Sequence, residues 1–177
     1  MKAAHWAAVA AGAFALAALP AAAEVTAASP SGFTLSYSRP VPATPAQAFD
    51  TIGQLPRWWN AAHSYSGQAA NLRLALRAGD CFCEQWDGGS IEHLRVVLVR
   101  PPSMVRLEGA LGPLQELAVR GVLTFATAVV EGRTVLRLTY RVAGAPEAGL
   151  EKLAPLVDRV MADQFGRWAD YVESQRP

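Results

Sequence analysis

Glu84 stands between Phe82 and Trp86 at a spacing of two, so on a strand all three side chains share one face. If that face is concave, loss of water raises the carboxyl pKa, and Glu84 becomes a general acid or base or an anchor for a ligand hydroxyl. If the strand ends in solvent or meets an arginine, the same carboxylate is a structural partner. His63 and Tyr65 follow the pair Trp58-Trp59, and each carries a polar tip on a flat body. They are suited to orient a ligand, and a surface loop explains them equally well. Tyr140 shares a face with Leu136, Leu138 and Val142, which turns it inward and obliges its hydroxyl to find a partner. By the same alternation His93 falls on the face of Ile91, Arg95 and Val97.

Cys81 and Cys83 point the same way on a strand, with Cα atoms about 7 Å apart, the upper limit for a disulfide. Two reduced, buried thiols are the expectation, and a bond between them would have to bend the strand. Zinc chelation favours two to four residues between cysteines rather than one, so no metal is expected. Neither Gly-x-Ser-x-Gly nor a phosphate-cradling glycine loop is present, and no spacing ties Ser, His and Asp together. No cofactor is implied.

The elements that must hold these residues are mostly strands. Alternation or apolar runs mark seven, over residues 33–38, 72–77, 81–86, 91–100, 104–109, 122–130 and 134–142. Asp87-Gly88-Gly89-Ser90 and Glu131-Gly132-Arg133 make tight hairpins. Thr44 caps a short helix with Pro45 at its first position, Gly53 ends it, and a second short helix starts near Pro56. Residues 155–174 form one long helix whose stripe is Leu153, Val157, Val160, Met161, Phe165, Trp168 and Val172. Gly166, inside it, implies close backbone approach or space left for a ligand. Residues 109–117 are longer than a hairpin needs and either tuck their leucines onto the core or form a mobile flap. The expected fold is α+β: a seven-stranded curved antiparallel sheet around a long C-terminal helix, with two short helices after the first strand and a cavity between sheet and helix.

The chain has 177 residues. Lys2, an unbroken apolar run over residues 7–19 and the ending Pro20-Ala21-Ala22-Ala23 mark residues 1–23 as a cleavable signal peptide. Residues 24–31 then read as a disordered lead-in and 32–177 as the domain. Losing Lys2 leaves equal positive and negative counts, which excludes electrostatic steering to nucleic acid or an anionic membrane. The expectation is an exported, periplasmic protein with no stable membrane insertion after processing.

Leu55-Pro56-Arg57-Trp58-Trp59, Arg77-Ala78-Gly79-Asp80-Cys81-Phe82, Val99-Arg100-Pro101-Pro102 and Leu111-Gly112-Pro113-Leu114 resemble the SRPBCC superfamily. That superfamily takes in START-type lipid carriers, pollen-allergen-like proteins and polyketide cyclases. The likeness is nearest to the branch of heat-shock ATPase activator homologues. It implies a helix-grip fold with an apolar cavity for a lipid, sterol or polyketide-like ligand. On that basis the candidate ligand residues on the sheet side are Trp59, His63, Tyr65, Phe82, Glu84 and Trp86. Leu114, Tyr140, Met161, Phe165 and Trp168 complete the wall. A carrier or sensor without catalysis is the first expectation. A cyclase- or hydrolase-like enzyme using Glu84 or His63 as acid or base is the alternative. A protein-interaction module like the activator relatives is disfavoured by export, since their ATP-driven partner is cytosolic.

Overall fold

The computed structural model describes residues 24–175. The leader expected over residues 1–23 lies outside them. Eight strands form one antiparallel sheet: β1 (Glu24–Ser29), β2 (Gly32–Val41), β3 (Leu72–Leu74), β4 (Cys81–Trp86), β5 (Gly89–Arg100), β6 (Met104–Gly109), β7 (Arg120–Val130) and β8 (Arg133–Ala143). Their order is β1-β2-β8-β7-β6-β5-β4-β3. The sheet therefore has one strand more than expected. The extra strand is β1, which lies where a disordered lead-in was expected and pairs with β2 from Glu24↔Ser36 to Ser29↔Gly32. Residues 26–29 are exposed and Val25 is half-buried, so hardly any apolar pattern marks this strand. It is held by its ladder on β2, whose other edge is taken by β8.

The inward residues follow the alternation. Phe33, Leu35 and Tyr37 of β2 and Leu136, Leu138, Tyr140 and Val142 of β8 are buried, and Leu35 sits opposite Tyr140. The hairpin between β7 and β8 turns through Glu131 and Gly132, both with positive φ, the geometry that two-residue hairpins require.

Helix α1 (Pro45–Thr51) opens with a full capping box, Thr44 and Gln47 each bonding the other's backbone N–H. Helix α2 (Leu55–Trp58) follows within four residues. The long helix α3 runs Leu150–Ser174, so it begins five residues before the expected start and holds Pro155 in its interior. Leu150 and Ala154 are buried, and the Leu150 N–H donates to the Pro30 carbonyl at 3.0 Å. That docking seats a first turn before the proline.

α3 packs chiefly on β2 and β1 and reaches α1, α2 and β8. Tyr37 donates its hydroxyl proton to Asp158 Oδ1 at 2.6 Å. Arg39 bridges Asp170 at 2.7 Å and Glu173 at 2.8 Å. Burial and the phenol–carboxylate contact both push the Tyr37 pKa far up. Between sheet and helix, Trp168 meets Phe125 at 5.3 Å, Phe165 at 6.1 Å and Trp58 at 6.3 Å between ring centroids. Phe165 stacks on Tyr37 at 5.6 Å. The centre of the hollow is thus occupied by aromatic rings, where the sequence led us to expect open space.

Candidate functional site

The Glu84 carboxylate is fully buried and has three partners. The Tyr65 N–H donates to Oε2 at 2.9 Å, the Ser66 N–H donates to Oε1 at 2.6 Å, and His93 Nε2 lies 3.3 Å from Oε2. Burial pushes the carboxyl pKa up, but the hydrogen bonds from Ser66, Tyr65 and His93 outweigh it and hold Glu84 below the usual carboxylate range. For His93, burial lowers the pKa more than Glu84 raises it, so the imidazole is neutral at pH 7. Glu84 is an ionised anchor that fixes the turn at residues 65–66. A proton donor poised at neutral pH would need the opposite shift.

A bulge on β5 puts His93 in this position. Phe82 pairs with Leu94 and Cys83 with Glu92, which leaves His93 as the extra residue between them. His93 and Leu94 are therefore both buried, and the alternation that set His93 on the Arg95 face fails at that point. Its ring lies 4.8 Å from Phe82 and 5.9 Å from Tyr65, and Phe82 meets Trp59 edge-on at 5.0 Å. Four expected residues, Trp59, Tyr65, Phe82 and Glu84, are thus gathered, with His93 as an addition. Tyr65 is the exposed end of the group, at 52%.

Other candidates lie apart. His63 is exposed and reaches Asp163 of α3 at 3.7 Å, while its carbonyl accepts the Trp59 Nε1 proton at 3.1 Å. It does not join Glu84. Trp86 is half-buried at the hairpin and lies over Gly89. Tyr140 accepts the Leu111 N–H at 3.1 Å, and burial raises its pKa to about 12. Leu114 is buried in the 3-10 segment Gly112–Leu117, and Gln115 Nε2 donates to the Glu92 carbonyl at 2.8 Å. Segment 109–117 is therefore pinned at three points to the body of the protein, as a tucked loop. Met161, Phe165 and Trp168 belong to the packed face of α3.

Gln164 escaped the sequence reading. It is 1% exposed, on the same face as Met161, Phe165 and Trp168. Its Oε1 accepts the Asn60 N–H at 2.9 Å, which fixes the amide orientation, and its Nε2 has no hydrogen-bond partner among the described residues. An unsatisfied buried donor costs about 1–3 kcal/mol. The signal was available: residue 164 falls three after Met161 and four before Trp168, a polar side chain inside the apolar stripe. Nearby, Asn60 Nδ2 donates to Asp163 at 2.8 Å and Arg167 donates to the Trp58 carbonyl at 2.8 Å, clamping the α2 end to α3.

Cys81 and Cys83, expected to be reduced, are joined in a disulfide. Their Cα atoms are 5.3 Å apart because β4 contracts opposite the bulge of β5. Closing so short a loop stabilises a fold by only about 1.6 kcal/mol. With Glu92 they also form a cluster of metal-ligand types, all ligand atoms within 4.8 Å of one another. As a disulfide the sulfurs are poor ligands, since it is the thiolate that binds metal.

No family model matches the chain, and no curated protein matches it. Solved structures do match. A structural-genomics protein from Mesorhizobium loti is similar at TM-score 0.59 and 16% identity, over 81% of this chain and 99% of that one. The Aha1 dimer from Colwellia psychrerythraea is similar at TM-score 0.58 and 16% identity, over 81% and 98%. A Rhodobacter sphaeroides protein follows at 0.55 and 19%, over 86% and 99%. These identities speak to fold alone, and the fold they share with this chain, a curved antiparallel sheet with a long C-terminal helix, is compatible with the helix-grip architecture.

Proposed function

We propose that this chain is an exported binding protein of the SRPBCC type, a carrier or sensor that takes a small apolar ligand against the inner face of α3. Gln164 Nε2 supplies the polar contact. The observation that carries this reading is that unpaired, buried amide donor on the helix face of Met161, Phe165 and Trp168. A ligand carbonyl or hydroxyl would satisfy it, while Met161, Phe165 and Trp168 on the same helix face give the apolar wall. Lipid, sterol and polyketide-like molecules fit this chemistry. The rings fill the centre, so a guest has to displace side chains, and uptake requires α3 to lift from the sheet. Gly166 supports that motion: an added Cβ there would meet nothing within 4 Å, so the helix is weakened without a packing reason. The disulfide supports export, since such bonds persist in oxidising compartments.

The alternative, an acid–base enzyme of cyclase or hydrolase type, is favoured by one feature, the neutral His93 held against Glu84. Glu84 itself is weakened as a candidate because its oxygens are already engaged, and His63 because it lies apart.

Thermal melting against a lipid, sterol and polyketide panel tests the binding reading, together with native mass spectrometry of protein purified from the periplasm. A ligand that raises Tm should bind Gln164→Glu at least about tenfold more weakly, a change of about 1.4 kcal/mol. That variant keeps the acceptor for Asn60 and removes the donor. No melting shift with any compound, and no copurified molecule, would overturn the reading. Turnover of a panel compound that is lost in His93→Gln with binding retained would establish the enzyme instead.

A further inference from the structure

We propose that the Cys81–Cys83 disulfide is a dithiol–disulfide exchange site, with Cys81 the sulfur that a partner thiol engages. The bond spans a single residue within one strand, so it ties no two elements of the fold together. β4 is already held on both sides by β3 and β5. A cross-link placed there does little for the fold and leaves its chemistry to be explained.

Its placement favours reaction at one sulfur. Cys81 is half-buried and lines a groove of about 440 Å³ beside edge strand β3, together with Pro56, Leu72, Leu74 and Asp80. Cys83, 8% exposed, does not line it. Across the ladder, Arg95 is the partner of Cys81 and Glu92 the partner of Cys83. Arg95 and Glu92 pair with each other and the Glu92 carboxylate lies within 4.8 Å of both sulfurs, so it is exposure to the groove, rather than this ion pair, that singles out Cys81. The groove gives a thiol-bearing molecule a place to lie against Cys81.

The step balances with a partner dithiol as reductant. A partner thiolate attacks Cys81 Sγ, the Cys81–Cys83 bond breaks, and its electron pair goes to Cys83 Sγ, which takes up a proton. The partner's second thiolate then attacks the partner sulfur of the mixed disulfide and releases Cys81 as thiolate. Two electrons and one proton reach the pair, leaving Cys81 as the thiolate and Cys83 as the thiol, and the partner leaves as a disulfide. Run backwards, reduced Cys81 attacks a partner disulfide and Cys83 resolves it. This site lies on the sheet's outer face and stands or falls independently of ligand binding at Gln164.

The test exposes folded protein to reduced glutathione or to a two-cysteine peptide at neutral pH, followed by acid quench, alkylation and mass measurement. Both cysteines should become alkylated while the protein stays folded by circular dichroism. Offered oxidised glutathione, or the peptide in its disulfide form, Cys83→Ser should trap the probe as a mixed disulfide through Cys81, and Cys81→Ser should trap about tenfold less. Preference for glutathione would assign a small thiol as the partner, and preference for the peptide a polypeptide. The double variant Cys81→Ser, Cys83→Ser should fold with little change in Tm. Reduction only after unfolding, equal trapping by the two single variants, or a double variant that fails to fold would overturn the proposal and leave a structural staple.

Discussion

Trp168 Nε1 donates to Thr51 Oγ1 at 2.8 Å, at the point where all three α-helices meet. The same threonine's carbonyl accepts the Trp58 Nε1 proton at 2.9 Å, and its hydroxyl donates to the Ala48 carbonyl at 2.6 Å. Two buried indoles from α2 and α3 therefore depend on one residue at the end of α1. Thr51→Val keeps the shape and removes the acceptor, leaving the Trp168 N–H buried and unpaired. Urea unfolding should show a loss of about 1–3 kcal/mol, and Thr51→Ser should recover part of it.

Acid should destabilise the protein in two overlapping steps. His93 has a folded pKa below its unfolded value, so its contribution is complete above about pH 6.5 and is lost as pH falls from there through the folded pKa. Glu84 is also depressed in the folded state. Its contribution is complete above about pH 4.3 and is lost as pH falls through the lower folded value. Urea midpoints measured across this range should fall with acidity. His93→Gln should flatten the upper part of that fall and Glu84→Gln the lower. A wild-type midpoint that stays level from pH 7 to 4 would refute the assignment.

Replacing Glu84 has a second consequence, at the turn over residues 65–66. The amide in Glu84→Gln cannot accept from both backbone N–H groups with its two ends alike, since one end is itself a donor. Amide exchange at Tyr65 and Ser66 should rise at pH 7, with about 1–3 kcal/mol lost from global stability.

Gly166 offers the opposite kind of test. Because an added Cβ meets nothing within 4 Å, Gly166→Ala should stabilise the unliganded protein by about 1 kcal/mol and raise its Tm. If α3 must yield to admit a ligand, the same variant should take up ligand more slowly, read by stopped-flow tryptophan fluorescence.

β1 covers an edge of β2 that is otherwise free. Deleting residues 24–29 should leave β2 as an open edge and increase self-association, measured by sedimentation velocity at rising concentration.

Much of this architecture was legible because inward and outward side chains alternate in clear register. Phe33, Leu35 and Tyr37, or Leu136, Leu138 and Tyr140, cannot shift by one residue without exposing the core. β1 was not legible because its small, mostly exposed residues carry no such pattern, and only pairing reveals it. His93 was misplaced because a single extra residue in β5 reverses the alternation locally. Pro155 misled the helix start because the docking of Leu150, a tertiary contact, overrides the usual preference for proline in the first turn. Glu84 and its aromatic neighbours were found by period two, but their partners could not be. The backbone N–H groups of Tyr65 and Ser66 come from a loop whose path no side-chain pattern encodes.

β2 ends at Val41, and the strand that completes its inner edge, β8, begins only at Arg133. On a ribosome, the pairing of β2 with β8 therefore cannot form until most of the chain has emerged, and the closing of so long a loop is slow. β2 waits with that edge unpaired until the final hairpin and α3 dock together.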